Sequence, residues 1–109
     1  DIDLEKINKA IKLSSLVYDF NNSKLSLNSL VGQKGLQISG GQAQRIAIAR
    51  SLYEDPEIII FDEATSSLDK TTEKEIFENL LILKKTKTIL LITHNDRILE
   101  YCDKVISLD

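Results

Sequence analysis

The sequence predicts an α/β domain, a parallel sheet with flanking helices, preceded by a helical region. Short apolar, β-branched runs alternate with longer segments whose apolar residues recur at helical intervals. This alternation implies right-handed crossovers between parallel strands. The size and composition suit one globular domain, because the chain has 109 residues, of which 42% are hydrophobic and 28% charged.

The first half of the chain is predicted to be helical on both sides of a glycine-rich loop. Apolar residues at near-helical spacing indicate one or two short helices within residues 4–19. All of the protein's glycines then fall within ten residues: Gly32, Gly35, Gly40 and Gly41. A helix is expected over residues 42–54, and the only proline, Pro56, follows its end.

The second half supplies the predicted sheet. Two apolar runs indicate buried strands at residues 57–61 and 88–93. Between them a helix is expected over residues 72–85, with Thr72 and Glu75 as a capping box. The remaining expectations are a short helix at residues 96–102 and a third strand at residues 104–108.

Charge and hydropathy exclude several functions. The net charge of −3 at pH 7 does not favour a nucleic-acid partner. The apolar runs at residues 58–61 and 89–92 are far shorter than the roughly 18 residues of a membrane-spanning helix.

The lone Cys102 is compatible with a reducing compartment and receives no role. The start of the chain, which lacks a methionine, is expected to lie inside a longer polypeptide.

The first candidate site is Ser39-Gly40-Gly41-Gln42, where the glycine loop meets a predicted helix. Unpaired amide groups at a helix N-terminus attract anions, and glycines allow a phosphate to approach closely. Alternatively, Ser39 and Gln42 form only a capping box. This motif alone does not decide between the two interpretations.

The second candidate site follows the apolar strand at Asp62 and Glu63. Ligands of open parallel sheets bind at the carboxyl ends of the strands. Asp62 is the candidate for Mg²⁺, and Glu63 is the candidate for orienting a water that attacks a γ-phosphate. In isolation, such a carboxylate pair is more often a solvated loop or a helix cap.

Two further residues complete the pattern. His94, the only histidine, directly follows the second predicted strand and is expected at the same sheet edge as Asp62 and Glu63. A lone histidine is usually structural or exposed, but this position favours a phosphate contact. Asp69 ends the Ser66-Ser67-Leu68-Asp69 segment, and its simplest role is to cap the next helix.

Together these segments resemble the ATP-binding cassette (ABC) ATPases, over about residues 25–109 and in the family's order and spacing. Residues 38–42 are similar to the signature motif and residues 58–62 to the Walker B strand. Glu63 is similar to the catalytic glutamate, residues 66–69 to the D-loop and His94 to the switch histidine. Ile38 and Ala43 depart from the commonest signature, but neither change removes a phosphate-contacting group.

Motif variants favour the exporter branch of the family. Residues 62–69 resemble the exporter form, and Leu30 to Gly35 resemble a loop that touches the transmembrane domain. Gln33 stands where exporters usually have Glu, which weakens the second match. Ribosome-associated members and chromosome-maintenance ATPases usually carry different residues in these motifs.

The resemblance implies a P-loop NTPase-like fold that is incomplete here. No Gly-x-x-x-x-Gly-Lys-Ser/Thr loop occurs in the sequence, so the chain is expected to be inactive alone. Residues 1–54 would be the end of the helical subdomain with the signature and its helix, and residues 55–109 the C-terminal part of the ATPase core.

In the intact protein, the resemblance implies two such domains that enclose ATP and Mg²⁺. Ser39, Gly40, Gly41 and Gln42 would contact ATP held by the partner domain, and Asp69 would connect the two sites. ATP hydrolysis would then drive a transmembrane domain in the same polypeptide, and the chain would lie at the cytoplasmic face of a membrane. A soluble ABC-type ATPase that acts on nucleic acid or ribosomes, or a truncated non-catalytic module, remains the alternative. The transported substrate is not encoded in these motifs.

Overall fold

Residues 3–17 and 39–108 are described by a computed structural model of the chain. Helix α1 covers Leu4–Leu13 and helix α2 covers Gly40–Tyr53. Strand β1 (Ile58–Asp62) is followed by helix α3 (Lys70–Leu83) and strand β2 (Thr88–Ile92). A 3₁₀ helix at Asp96–Tyr101 comes last.

The two strands form a parallel pair, as the sequence predicts. Ile58 lies opposite Thr88, and the register runs without interruption to Asp62 opposite Ile92. Helix α3 makes the crossover between them, which is the connection that parallel strands require. The carboxyl ends of both strands therefore meet at one sheet edge.

The core lies between the helices and one face of this sheet. Ile59 and Phe61 are buried on β1, and the helices contribute Ile46, Ile48, Ala49, Leu52, Ile76, Phe77, Leu80 and Leu83. On the other face Ile58 and Ile60 remain 63% and 59% exposed. One face of the sheet is thus covered within the described residues.

Helix α1 is tied to the rest of the chain at both of its ends. The backbone amide of Asp3 donates to the Tyr53 hydroxyl at 3.1 Å, and the Asn79 amide donates to the Leu13 carbonyl at 3.1 Å. Arg45 also donates to the Ser15 carbonyl at 2.8 Å. These contacts fix helix α1 against helices α2 and α3.

Two expectations about elements are wrong. Residues 104–108 are not a strand, because no described strand pairs with them, and Ile106 and Leu108 are 72% and 93% exposed. Helix α3 begins at Lys70 after the N-cap Asp69, so Thr72 and Glu75 do not form its capping box. The short helix expected at residues 96–102 is confirmed and is a 3₁₀ helix over Asp96–Tyr101.

Within the described part of the chain, no helix is sufficiently long and apolar to cross a bilayer.

Candidate functional site

Asp62, Glu63 and His94 lie where the two strands end, and we call them the strand-end cluster. Asp62 is the last residue of β1. The Glu63 amide continues the ladder by donating to the Ile92 carbonyl at 2.9 Å. Glu63 then adopts a positive φ of 53°, a backbone conformation that is strained for a residue with a side chain. Such strain is commonly found at functional sites.

The structure brings Glu63 and His94 together, as the sequence predicts. Glu63 Oε1 lies 3.8 Å from His94 Nε2. The Glu63 side chain is 43% exposed and that of His94 is 95% exposed. Both side chains therefore face solvent, where a ligand could reach them, and the imidazole is not fixed by packing around it.

The Asp62 carboxylate is exposed and makes no hydrogen bond or ion pair with the described residues. No group of three or more His, Cys, Asp or Glu side chains that could hold a metal occurs in residues 3–17 and 39–108. A single carboxylate fits Mg²⁺, which keeps several waters and takes other ligands from substrate phosphates. The donor set is consistent with such a site.

A groove runs between the start of α2 and the loop before α3, and we call it the α2 groove. The residues that line it are Ser39, Gly40, Gly41, Arg45, Ser67, Leu68, Asp69 and Thr72. Ser39 and Gln42 form the capping box that the sequence offers as the alternative to a phosphate site. The Gln42 amide donates to Ser39 Oγ, and the Ser39 amide donates to Gln42 Oε1, both at 3.0 Å.

The two glycines of α2 permit close contact with the loop that follows β1. A Cβ atom on Gly40 would lie 3.3 Å from Ser67 Oγ, and one on Gly41 would lie 3.3 Å from the Ser67 carbonyl oxygen. These distances are shorter than ordinary van der Waals contacts. Packing within this chain is therefore a second reason for glycine here, besides the approach of a phosphate.

Gln44 is a residue that the sequence reasoning missed. Its Oε1 accepts from the Ser67 amide at 2.7 Å, and its Nε2 donates to Ser66 Oγ at 2.8 Å and to the Glu63 carbonyl at 3.4 Å. One side chain of α2 thus holds the loop that begins at Glu63. Only its place two residues after the signature could have pointed to it.

Asp69 lines the α2 groove and is the N-cap residue of α3, although its side chain makes no capping hydrogen bond. The Thr72 hydroxyl beside it lowers the pKa of the Asp69 carboxyl below its ordinary value of 3.8. Asp69 is therefore ionised at neutral pH. Asp69 therefore has the N-cap position that the sequence predicts, but the side-chain capping bond expected of it is not made.

The structure separates the predicted site residues into two groups. Asp62, Glu63 and His94 form the strand-end cluster, whereas Ser39, Gly40, Gly41 and Asp69 line the α2 groove and Gln42 supports its start. Gln44 connects the two groups. Ile38 and the loop from Leu30 to Gly35 lie outside the described residues.

Comparisons with known proteins identify the family. The model of the family described as ABC transporter matches residues 4–66. A Lactococcin-G-processing and transport ATP-binding protein of Lactococcus lactis subsp. lactis is 49% identical over 107 residues, which are 98% of this chain and 15% of that protein. An ATP-dependent lipid A-core flippase of Cupriavidus pinatubonensis is 37% identical over 109 residues, or 100% and 18% of the two chains.

Solved structures show the same fold. One is a dimeric ATP-binding cassette in a post-hydrolysis state with bound ADP and Pi, at 32% identity and a TM-score of 0.70. The match covers 89% of this chain and 38% of that one. The chain thus spans less than a fifth of the two transport relatives and less than half of the solved cassette. The α/β fold class, with a P-loop NTPase-like parallel sheet, is confirmed, and the chain belongs to the ABC transporter family as part of its ATP-binding cassette.

Proposed function

We propose that this chain is the C-terminal part of the ATPase domain of an ABC exporter, where it serves ATP hydrolysis in a head-to-tail dimer. The observation that carries the proposal is the 3.8 Å approach of the Glu63 carboxylate to the His94 imidazole at the carboxyl ends of two parallel strands. The names of its relatives, a transport ATP-binding protein and an ATP-dependent flippase, support it.

Each residue of the strand-end cluster has a distinct proposed task. Glu63 orients a water for in-line attack on the γ-phosphate of ATP and accepts a hydrogen bond from it. His94 donates a hydrogen bond to a γ-phosphate oxygen from the adjacent loop. Asp62 holds Mg²⁺, which when bound neutralises charge on the β- and γ-phosphates. Their solvent-facing positions suit a nucleotide that binds from outside this chain.

The α2 groove is proposed to act on a second ATP molecule, held by the partner domain. Ser39, Gly40, Gly41 and Gln42 present amide groups and the positive end of a 14-residue helix to its γ-phosphate. Asp69 would connect this contact to the other site. The dimeric state of the solved cassette supports this arrangement.

The remaining parts of the full-length transporter are inferred from the relatives. Residues 1–54 would belong to the helical subdomain and residues 55–109 to the ATPase core, with the phosphate loop upstream in the same polypeptide. A transmembrane domain would be driven by hydrolysis, and the chain would lie at the cytoplasmic face of a membrane. Because one relative is named for lipid A-core and another for lactococcin G, the relatives do not fix the substrate class.

The test is Glu63→Gln in the full-length protein that carries this sequence. Loss of the carboxylate removes the group that accepts from the attacking water, so steady-state ATP turnover should fall by at least about 100-fold. ATP-bound dimers should persist in size-exclusion chromatography. Glu57→Gln, an exposed carboxylate just before β1, is the matched control and should keep normal turnover. Unchanged turnover in Glu63→Gln would refute the proposal.

A further inference from the structure

Glu73 is a buried carboxylate to which the function above gives no task. It lies in the first turn of α3 and is only 8% exposed. Burial of a carboxylate is unfavourable unless hydrogen bonds and positive charge compensate for the lost hydration. Its surroundings therefore explain why it is tolerated and what it does.

The partners of Glu73 come from two different loops. Thr65, in the loop after β1, donates its hydroxyl to Glu73 Oε2 at 3.1 Å. Asn95, in the loop after β2, donates its amide to the same oxygen at 3.5 Å. Arg97 places its guanidinium 3.5 Å from Glu73 Oε1. One carboxylate thus bridges the two loops.

These loops are the ones that carry Glu63 and His94. Thr65 is two residues beyond Glu63, and Asn95 directly follows His94. The backbone amide of Asn95 donates to Thr93 Oγ1 at 2.9 Å. The side-chain oxygen of Asn95 caps the 3₁₀ helix, because it accepts from the backbone amide of Arg97 at 3.0 Å. Asn95 is therefore well ordered by its own neighbours.

His94 itself has little else to hold it. With 95% of its side chain exposed, the imidazole depends on its backbone for position. A connection between Asn95 and Thr65 through Glu73 would fix the distance between the backbone of His94 and that of Glu63. A change of about 1 Å in such geometry can alter a rate by about 100-fold.

We propose that Glu73 is a positioning residue for ATP hydrolysis, because its carboxylate holds the Thr65 and Asn95 loops together and so sets the separation of Glu63 and His94. This inference rests on the proposed function of those two residues. Glu73 does not touch the nucleotide. It acts only through the two loops.

The experiment compares Glu73→Gln and Thr65→Val with Glu75→Gln in the full-length protein. In glutamine one of the two acceptor oxygens becomes an NH₂ donor, which faces either the Arg97 guanidinium or the Thr65 and Asn95 donors, whereas valine keeps the shape of threonine without its hydroxyl. We expect kcat to fall about tenfold in Glu73→Gln and about threefold in Thr65→Val, with an unchanged KM for ATP. Glu75 is exposed on the same helix, so Glu75→Gln should keep the wild-type kcat.

A merely structural role predicts a different pattern. The melting temperature would fall in Glu73→Gln while kcat per folded molecule stayed at the wild-type value, and that result would overturn the proposal. Should Glu73→Gln fail to fold, Thr65→Val decides, and a wild-type kcat there also overturns it.

A double-mutant cycle tests whether Glu73 connects the two loops. Asn95→Ser keeps a capping oxygen but loses the amide donor to Glu73, and it places no second carboxylate beside Glu73. Because both changes act through one carboxylate, the Thr65→Val/Asn95→Ser variant should lose much less than the product of the single losses. Losses that multiply would contradict the bridge. Glu63→Gln in the same assay separates the two claims, since normal turnover in Glu63→Gln would refute the proposed function itself.

Discussion

The strand-end cluster and the α2 groove differ in how this chain holds them. In the cluster, Glu63 and His94 reach toward solvent, and their closest approach to each other is 3.8 Å. In the groove, Gly40 and Gly41 are packed so closely against Ser67 that an added Cβ atom would lie 3.3 Å from it. The cluster is thus an open set of reactive side chains, whereas the groove is a backbone surface shaped by packing.

This difference teaches which kind of change each region tolerates. Loss of a functional group should abolish the chemistry of the cluster without disturbing its backbone. Added volume in the groove should displace the loop at Ser67, which Gln44 connects to Glu63. A displacement of the loop at Ser67 is therefore expected to disturb the strand-end cluster through Gln44.

Within the groove, the largest expected effect comes from added volume at Gly41. In Gly41→Ala the new methyl group meets the Ser67 carbonyl oxygen, which is backbone and cannot simply rotate away. We expect ATP turnover of the full-length protein to fall about tenfold. Gly40→Ala is the matched control, because its methyl group meets the movable Ser67 hydroxyl and should reduce turnover much less. Equal losses in both variants would remove the distinction.

An intermediate effect is expected from Gln44. Gln44→Leu keeps much of the volume but leaves the Ser67 amide without its side-chain acceptor. Because this hydrogen bond is exposed and water can replace the acceptor, the domain should be destabilised by only about 0.5–1.5 kcal/mol, and turnover should fall about threefold. Thermal unfolding and ATPase assays measure both. Ser51→Ala, an exposed change on the same helix, should do neither, and wild-type values for Gln44→Leu would show that the two regions are independent.

The smallest effect concerns the ionisation of Asp69 in the groove. The Thr72 hydroxyl lowers the pKa of Asp69, so the stability that it contributes is present above pH 3.8 and is lost as the pH falls through the lowered pKa. Thr72→Val should raise this pKa toward 3.8 and reduce that acid-dependent loss. Urea unfolding between pH 2 and pH 5 would detect the change. An identical pH profile for both proteins would show that Thr72 does not hold the carboxylate.

The sequence was sufficient for elements with their own local signal. The β-branched runs of β1 and β2 and the capping box at Ser39 predict their structures directly. Residues 104–108 have the same kind of pattern but no described partner strand, and a strand needs a ladder to form. Local pattern therefore predicts a strand only where its neighbour is present.

The candidate site shows the same limit. Strand-end positions were sufficient to predict that Glu63 and His94 meet, because parallel strands end together. Gln44 was missed since its partners are 19 to 23 residues away along the chain. Glu73 did carry a signal, because it occupies the same helix face as Ile76, Phe77 and Leu80, where a charged residue is unexpected.

The most direct test asks whether the cluster and the groove of one chain serve different ATP molecules. Two tagged copies of the full-length protein would be co-expressed, one carrying Glu63→Gln and the other Ser39→Glu, whose carboxylate would repel a phosphate at the start of α2. Mixed dimers then retain one site with an intact cluster and an intact groove, so we predict ATP turnover in purified mixed dimers and none in dimers of either single variant. Inactive mixed dimers would contradict the account, because that result means that the cluster and the groove of one chain act on the same nucleotide.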